Sequence, residues 1–195
     1  WIGTFHGLCN RFLRAHWKLA GLPLSFQILD TADSLSAVKR VMKAMNVDEE
    51  RFVPKQVSYF IAARKDNGER PKDVDAHDPQ SRKMVEIYQA YEDQCQREGV
   101  VDFAELMLRT YELMRDNAAL REHYQHRFAH ILVDEFQDTN RLQYAWLKMF
   151  APPGGNQGVF AVGDDDQSIY AFRGARVGNM ADFEREYRVQ RVIKL

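Results

Sequence analysis

Several features are scarce in this sequence. Its 195 residues hold only two cysteines, Cys9 and Cys95, far apart and without metal-ligand spacing, so they read as free thiols, buried or partly buried. Reduced thiols fit a cytoplasmic protein. No signal peptide and no apolar run long enough to span a bilayer occurs, so no membrane partner is expected. No repeat or low-complexity stretch occurs either. Charge of one sign is also lacking: the net charge is −1. That balance neither demands nor excludes nucleic acid, and any basic surface must be local. With 45% hydrophobic and 28% charged residues, the composition is that of one or two globular domains with a real core.

The most informative stretch is His130-Ile131-Leu132-Val133-Asp134-Glu135-Phe136-Gln137-Asp138-Thr139. A short apolar run broken by two adjacent carboxylates predicts a strand buried on both faces, with the acids where it leaves the sheet. In open parallel α/β sheets, ligands bind at those carboxyl ends. Asp134 there can hold a magnesium ion and Glu135 can orient or deprotonate a water, as in a nucleotide hydrolase. Asn140 to Phe150 predicts a helix. Val159 to Val162 predicts a second apolar strand, and strand–helix–strand of this size predicts a parallel pair.

The second strand also ends in acid, at Gly163-Asp164-Asp165-Asp166-Gln167-Ser168-Ile169-Tyr170. Neighbouring strands would gather Asp134, Glu135, Asp138 and the three later aspartates into a small volume. Their mutual repulsion calls for a cation, a metal with a nucleotide or a side chain such as Arg173. The bland reading is that several of these acids cap helices. Gln137 and Gln167 follow the two clusters, and an amide that donates and accepts can orient a water or sense a terminal phosphate. Tyr170 and Phe172 can stack on unpaired bases, or one of them can belong to the core.

The first two thirds of the chain predict helices almost throughout, with a short extended piece over residues 26–30. Residues 4–20 form an amphipathic pattern with Phe5, Leu8, Phe12 and Leu19 near one face and Arg11, Arg14 and Lys18 on the other. A helix capped by Asp30 or Thr31 runs to about Met45, with Val38, Val41, Met42 and Met45 as its apolar stripe. Further helices are expected from Pro54 to before Asn67-Gly68, and over residues 81–97 up to Gly99. Residues 69–79 read as an exposed loop. Asp102-Phe103-Ala104-Glu105 has capping-box spacing and opens a helix with Phe103, Leu106, Met107 and Met114 inward. A short helix comes next, over residues 118–127.

Taken together, these segments resemble the UvrD/Rep family of superfamily I DNA helicases. Residues 133–140 are similar to that family's motif II and residues 162–175 to its motif III. Gly3-Thr4-Phe5-His6-Gly7-Leu8 resembles its early DNA-contacting motif, and Val101-Asp102-Phe103-Ala104-Glu105-Leu106 another family signature. The resemblance implies an α/β fold: part of a RecA-like P-loop NTPase domain, residues 128–195, interrupted by a large all-helical subdomain, residues 1–127. It also implies roles. Asp134 coordinates Mg²⁺, Glu135 is the base for ATP hydrolysis, Gln137 helps bind nucleotide, and Gln167 reports on the γ-phosphate. Tyr170, Phe172, Arg173, Thr4 and His6 lie along single-stranded DNA. Phe172 stands where close relatives commonly carry tryptophan; it keeps a π-face with less stacking area.

The resemblance implies an ATP-dependent 3′-to-5′ helicase that acts on single strands and single-strand/duplex junctions in repair or replication, in a cytoplasmic, nucleoid-associated setting, with repair or replication proteins as partners. No Gly-x-x-x-x-Gly-Lys-Ser/Thr loop occurs in these residues, so nothing in them cradles the phosphates. The sequence is therefore expected to be a piece of a longer chain, inactive as an ATPase and helicase by itself. The motor part of a helicase–nuclease, a DNA-binding module with a decayed ATP site, and a nucleotide hydrolase acting on something other than DNA are the competing readings.

Overall fold

The computed structural model describes residues 1–164 and 178–193. They form eight α-helices and four short strands in a mixed α/β arrangement. The chain divides into two compact units, Trp1–Thr110 and Tyr111–Leu195. Among the described residues, no helix is long and apolar enough to cross a membrane.

The first unit begins with α1 (Phe5–Ala15), followed by β1 (Gln27–Leu29), α2 (Thr31–Ala44), α3 (Pro54–Asp66), α4 (Pro79–Glu98), β2 (Val100–Asp102) and the start of α5 (Phe103–Asp116). Its core joins Val38, Val41 and Met42 of α2 to Val57 and Ile61 of α3 and to Ile87, Tyr88 and Tyr91 of α4. Each buried side chain of this kind contributes roughly 1.5–3 kcal/mol relative to exposure, so packing rather than helix propensity holds these three helices. Asp30 caps α2 by accepting the Asp33 N–H at 2.8 Å, as its position in the sequence suggested.

Three expectations are corrected here. First, α1 stops at Ala15 and Leu19 is 59% exposed. The Leu22 N–H bonds the Trp17 carbonyl at 2.9 Å, closing a turn that lets Leu22 and Phe26 reach the core instead. Second, Phe103 is 47% exposed. As the first residue of α5 it sets its ring edge against His6, while Leu106, Met107 and Met114 are buried. Third, the region is not all helical: the extended piece expected over residues 26–30 is β1, and it pairs in parallel with β2, which was not expected, with Ile28 opposite Val101. Gly99 permits this by ending α4 in the left-handed region at φ 65°. A Cβ there would also meet Pro23 Cγ at 2.7 Å, so both conformation and space require glycine.

Beneath β2 lies an ion network that no local pattern in the sequence announces. Lys65 is 2% exposed, and its Nζ reaches Asp102 Oδ2 at 3.0 Å and Glu105 Oε2 at 2.8 Å. Arg70 grips Glu105 with two bonds of 2.9 Å and also pairs with Glu92. Arg109 Nε meets Glu105 Oε1 at 2.9 Å, and the Tyr91 hydroxyl donates to Asp102 Oδ2 at 2.7 Å. Burial alone would pull the Lys65 ammonium down, but Asp102 and Glu105 overcome it and push its pKa up. Burial would likewise raise Glu105; Lys65, Arg70 and Arg109 instead hold it well below the usual carboxylate range. Asp66 has less compensation, and burial together with Asp102 pushes it up to about 6. Lys65, Arg70, Glu92, Asp102, Glu105 and Arg109 line a cavity of about 230 Å³.

The second unit contains the end of α5, α6 (Ala118–Arg127), β3 (His130–Val133), α7 (Arg141–Phe150), β4 (Gly158–Ala161) and α8 (Asn179–Glu186). The division between units falls within α5, before the strand pattern begins at 128, so α6 belongs with β3 and α7. Its Tyr124 ring meets Phe128 and Phe150, at 5.9 and 5.8 Å between centroids. As expected from strand–helix–strand, β3 and β4 are parallel, with Leu132 opposite Phe160. The expected burial of β3 on both faces is not found. Leu132 is 76% and Phe160 55% exposed, because no layer among the described residues covers that side of the two-stranded ladder.

Candidate active site

The parallel pairing of β3 and β4 continues past the strands and brings their acidic ends together. The Val162 N–H bonds the Val133 carbonyl and the Phe136 N–H bonds the Val162 carbonyl, both at 2.8 Å. Asp134 and Glu135 leave β3 beside Gly163 and Asp164, which leave β4. Glu135 has left-handed backbone, φ 49° and ψ 43°. For a side chain with a Cβ this costs on the order of 1–2 kcal/mol, and such residues persist only where their surroundings over-determine them. Here the Glu135 carbonyl opens a 3₁₀ turn, Phe136–Asp138, by accepting the Asp138 N–H at 3.0 Å. Phe136 is fully buried between Tyr144 of α7 and Phe183 of α8, with ring centroids 5.8 and 5.1 Å away.

Gln137 joins the two strand ends. Only 3% exposed, it donates from Nε2 to Glu135 Oε2 at 2.6 Å and accepts the Asp164 N–H on Oε1 at 3.0 Å. The amide therefore orients the Glu135 carboxylate while tying it to the neighbouring strand, a duty that needs a donor and an acceptor in one side chain. Gly163 makes room for it, since a Cβ at that position would lie 2.6 Å from Gln137 Oε1. The Glu135 carboxylate remains exposed, as does that of Asp134, whose Oδ1 accepts the Glu135 N–H at 2.9 Å. Asp138 has a buried Oδ1 without a partner among the described residues.

The donor set fits a magnesium ion. Carboxylate oxygens are hard ligands, and Mg²⁺ is ordinarily held by one or two of them plus water and substrate phosphates rather than by an all-protein cage. Asp134, an exposed aspartate at a strand end, is such a ligand.

Among the other expected site residues, Thr4 is the N-cap of α1, its Oγ1 accepting the Gly7 N–H at 3.1 Å. His6 is partly buried and edge-on to Phe103, 6.2 Å between centroids, and burial pushes its pKa down. Both lie in the first unit, whereas Asp134, Glu135 and Gln137 lie in the second. Gln167, Tyr170, Phe172 and Arg173, like Asp165 and Asp166, lie outside the described residues. The sequence pattern did not single out Thr139 or Asn179. Asn179 Nδ2 donates to the Thr139 carbonyl at 3.0 Å and to Thr139 Oγ1 at 2.9 Å, fixing α8 to the acid-bearing loop. Forty residues separate the two in sequence, so no spacing rule would have paired them.

Residues 1–188 match the model of the UvrD/REP helicase N-terminal domain. The chain is similar to a DNA helicase II of Haemophilus influenzae, 50% identical over 193 residues that cover 98% of this chain and 26% of that protein. DNA helicase II of Escherichia coli is 48% identical over 196 residues, 100% of this chain and 27% of that protein. The ATP-dependent DNA helicase PcrA of Staphylococcus aureus is 37% identical over 189 residues, 96% and 26% respectively. The chain spans about a quarter of the length of these curated relatives. With the family model matched along nearly all its length, the chain belongs to the UvrD/REP helicase N-terminal domain family.

Proposed function

We propose that this chain forms part of an ATP-dependent DNA helicase that moves 3′ to 5′ along single-stranded DNA and opens duplex DNA at junctions during repair or replication. In this reading, residues 128–195 are the later part of a RecA-like P-loop domain and residues 1–127 the helical subdomain inserted in it. The observation that carries the reading is Glu135: an exposed carboxylate on left-handed backbone, beside Asp134 and held through Gln137 to the end of the next strand.

Each residue then has a task. Asp134 would hold Mg²⁺, whose charge offsets that of the phosphate oxygens when bound. Gln137 donates to Glu135 Oε2 and so leaves Oε1 to accept the proton of the attacking water. As that water's oxygen bonds the γ-phosphorus, the bond to the β–γ bridging oxygen breaks, giving ADP and phosphate. Gln167 would sense the γ-phosphate. Tyr170 and Phe172 would stack on bases and Arg173 would pair with the backbone, with Thr4 and His6 further along the same strand. The Thr4 hydroxyl already caps α1, so its contact with DNA would be made from a fixed position. The site of action in this reading is the cytoplasm, at the nucleoid.

Strand displacement by the full-length protein, with ATP and Mg²⁺, tests the proposal. A duplex with a 3′ single-stranded tail is expected to be unwound and one with a 5′ tail to stay paired. Unwinding only from the 5′ tail, or from neither, would overturn it.

A further inference from the structure

We infer that Asn179 is a positioning residue for ATP hydrolysis, holding the loop that presents Glu135 and Gln137. The inference rests on the function proposed above and deepens it. Asn179 is fully buried at the first residue of α8, and both its described hydrogen bonds go to Thr139. Thr139 passes this constraint on. Its N–H and its Oγ1 both donate to the Phe136 carbonyl, at 3.1 and 2.7 Å. The same turn carries the Asp138 N–H bond to the Glu135 carbonyl and the Gln137 bond to the Glu135 carboxylate. One amide thus fastens the far end of a five-residue turn whose near end is the left-handed Glu135.

The chemistry of the amide supports the role. The Asn179 Oδ1 is buried without a donor among the described residues, and a buried acceptor left so is a cost that an apolar residue of similar size would not carry. What asparagine supplies in exchange is two donors on one nitrogen, matched to the carbonyl and hydroxyl oxygens of Thr139. Turning the amide over would set oxygen against oxygen at both positions, so the bonds fix one orientation. Phe183, one turn further along α8, packs on Phe136 with 5.1 Å between centroids. It supports the same turn by contact alone, which makes it a natural control. The Thr139 bonds are the described hydrogen-bonded link between the C-terminal end of the turn and α8.

The test uses Asn179→Ala and Thr139→Val in the full-length protein, with Thr139→Ser as the conservative variant and Phe183→Leu as the packing control. Asn179→Ala is expected to lower kcat for single-strand-stimulated ATP hydrolysis by about 10- to 100-fold, the scale of an ångström-level misplacement. KM for ATP should stay within about twofold, as for an interaction felt only in the transition state. Amide exchange at Phe136, Asp138 and Thr139 should quicken in the same variant. Thr139→Ser should match the wild type, and Asn179→Ala combined with Thr139→Val should be no slower than the worse single variant. Unchanged exchange at those amides overturns the inference; so does quickened exchange with kcat intact. A Phe183→Leu protein with an equal loss of Tm and an equal loss of kcat overturns it too, by reducing Asn179 to general packing. A wild-type protein without ATPase would sink the proposed function instead, and the exchange measurement would still decide whether Asn179 holds the turn.

Discussion

In the full-length protein, Glu135→Gln is expected to slow ATP turnover on the order of a thousandfold, within the range general-base catalysis supplies, while ATP still binds. The substitution is close to isosteric. Its carbonyl oxygen can still accept from Gln137 Nε2, which now meets Glu135 Oε2 at 2.6 Å. The turn opened by the Glu135 carbonyl is made by backbone and is untouched. What disappears is a basic oxygen for the proton of water, together with one negative charge beside Asp134. Loss of that charge opposes binding of anionic phosphates less, so affinity for ATP should hold or rise. Steady-state kcat and equilibrium binding of a fluorescent ATP analogue separate the two effects. Turnover within tenfold of wild type would reject Glu135 as the base, and loss of binding would show that it holds nucleotide rather than activates water.

Lys65→Met carries the largest expected cost in stability, about 3–5 kcal/mol, the range for removing one partner of a buried ion pair. Methionine fills similar volume, so the cavity term is small and the charge term decides. Glu105 keeps two bonds from Arg70 and one from Arg109 after the change. Asp102 keeps the Tyr91 hydroxyl at 2.7 Å and the Glu105 N–H at 2.7 Å but loses the only cation described against it. Its buried carboxylate then lies uncompensated at the junction of β2 and α5. Adding Asp102→Asn to Lys65→Met should therefore recover part of the loss. The slowest-exchanging amides of α3 and α5 report the opening free energy of this region without assuming that the whole chain unfolds in one step. A change under 1 kcal/mol, or no recovery in the double variant, would show that the network is not what secures β2.

The sequence was most legible where local pattern and tertiary role coincide. An apolar run ending in Asp134-Glu135, and a second ending in Asp164, announced two strands and a common acidic edge because strand period and chain break are local properties. The same holds for the Asp30 cap and the Val38, Val41 and Met42 stripe of α2. Burial in the network beneath β2 was illegible for the opposite reason. Only Glu105 and Arg109, four apart on α5, share an element; Lys65, Arg70, Glu92 and Asp102 come from separate stretches, and each in its own window looks like an ordinary solvated charge. Glu105 did sit at capping-box spacing from Asp102, and the Glu105 N–H does bond Asp102 Oδ1 at 2.7 Å. Its carboxylate, however, is bound by Lys65, Arg70 and Arg109. The β2 strand is three residues long, too short for a period to show, although Val100-Val101 after Gly99 carried a β-branched hint. Gln137 looked like a loop amide beside acids. Its burial arises from the approach of Gly163, which only the pairing of β3 with β4 supplies.

The carboxylates after β3 hold the central place: they are to belong to an ATP site answerable to DNA. The initial rate of ATP hydrolysis by the full-length protein, measured with and without single-stranded DNA, addresses this most directly. The rate should be low without DNA, rise to a plateau as single strand is added, and lose that plateau in Glu135→Gln. A rate indifferent to single-stranded DNA would contradict the account and assign these residues to a nucleotide hydrolase with another partner.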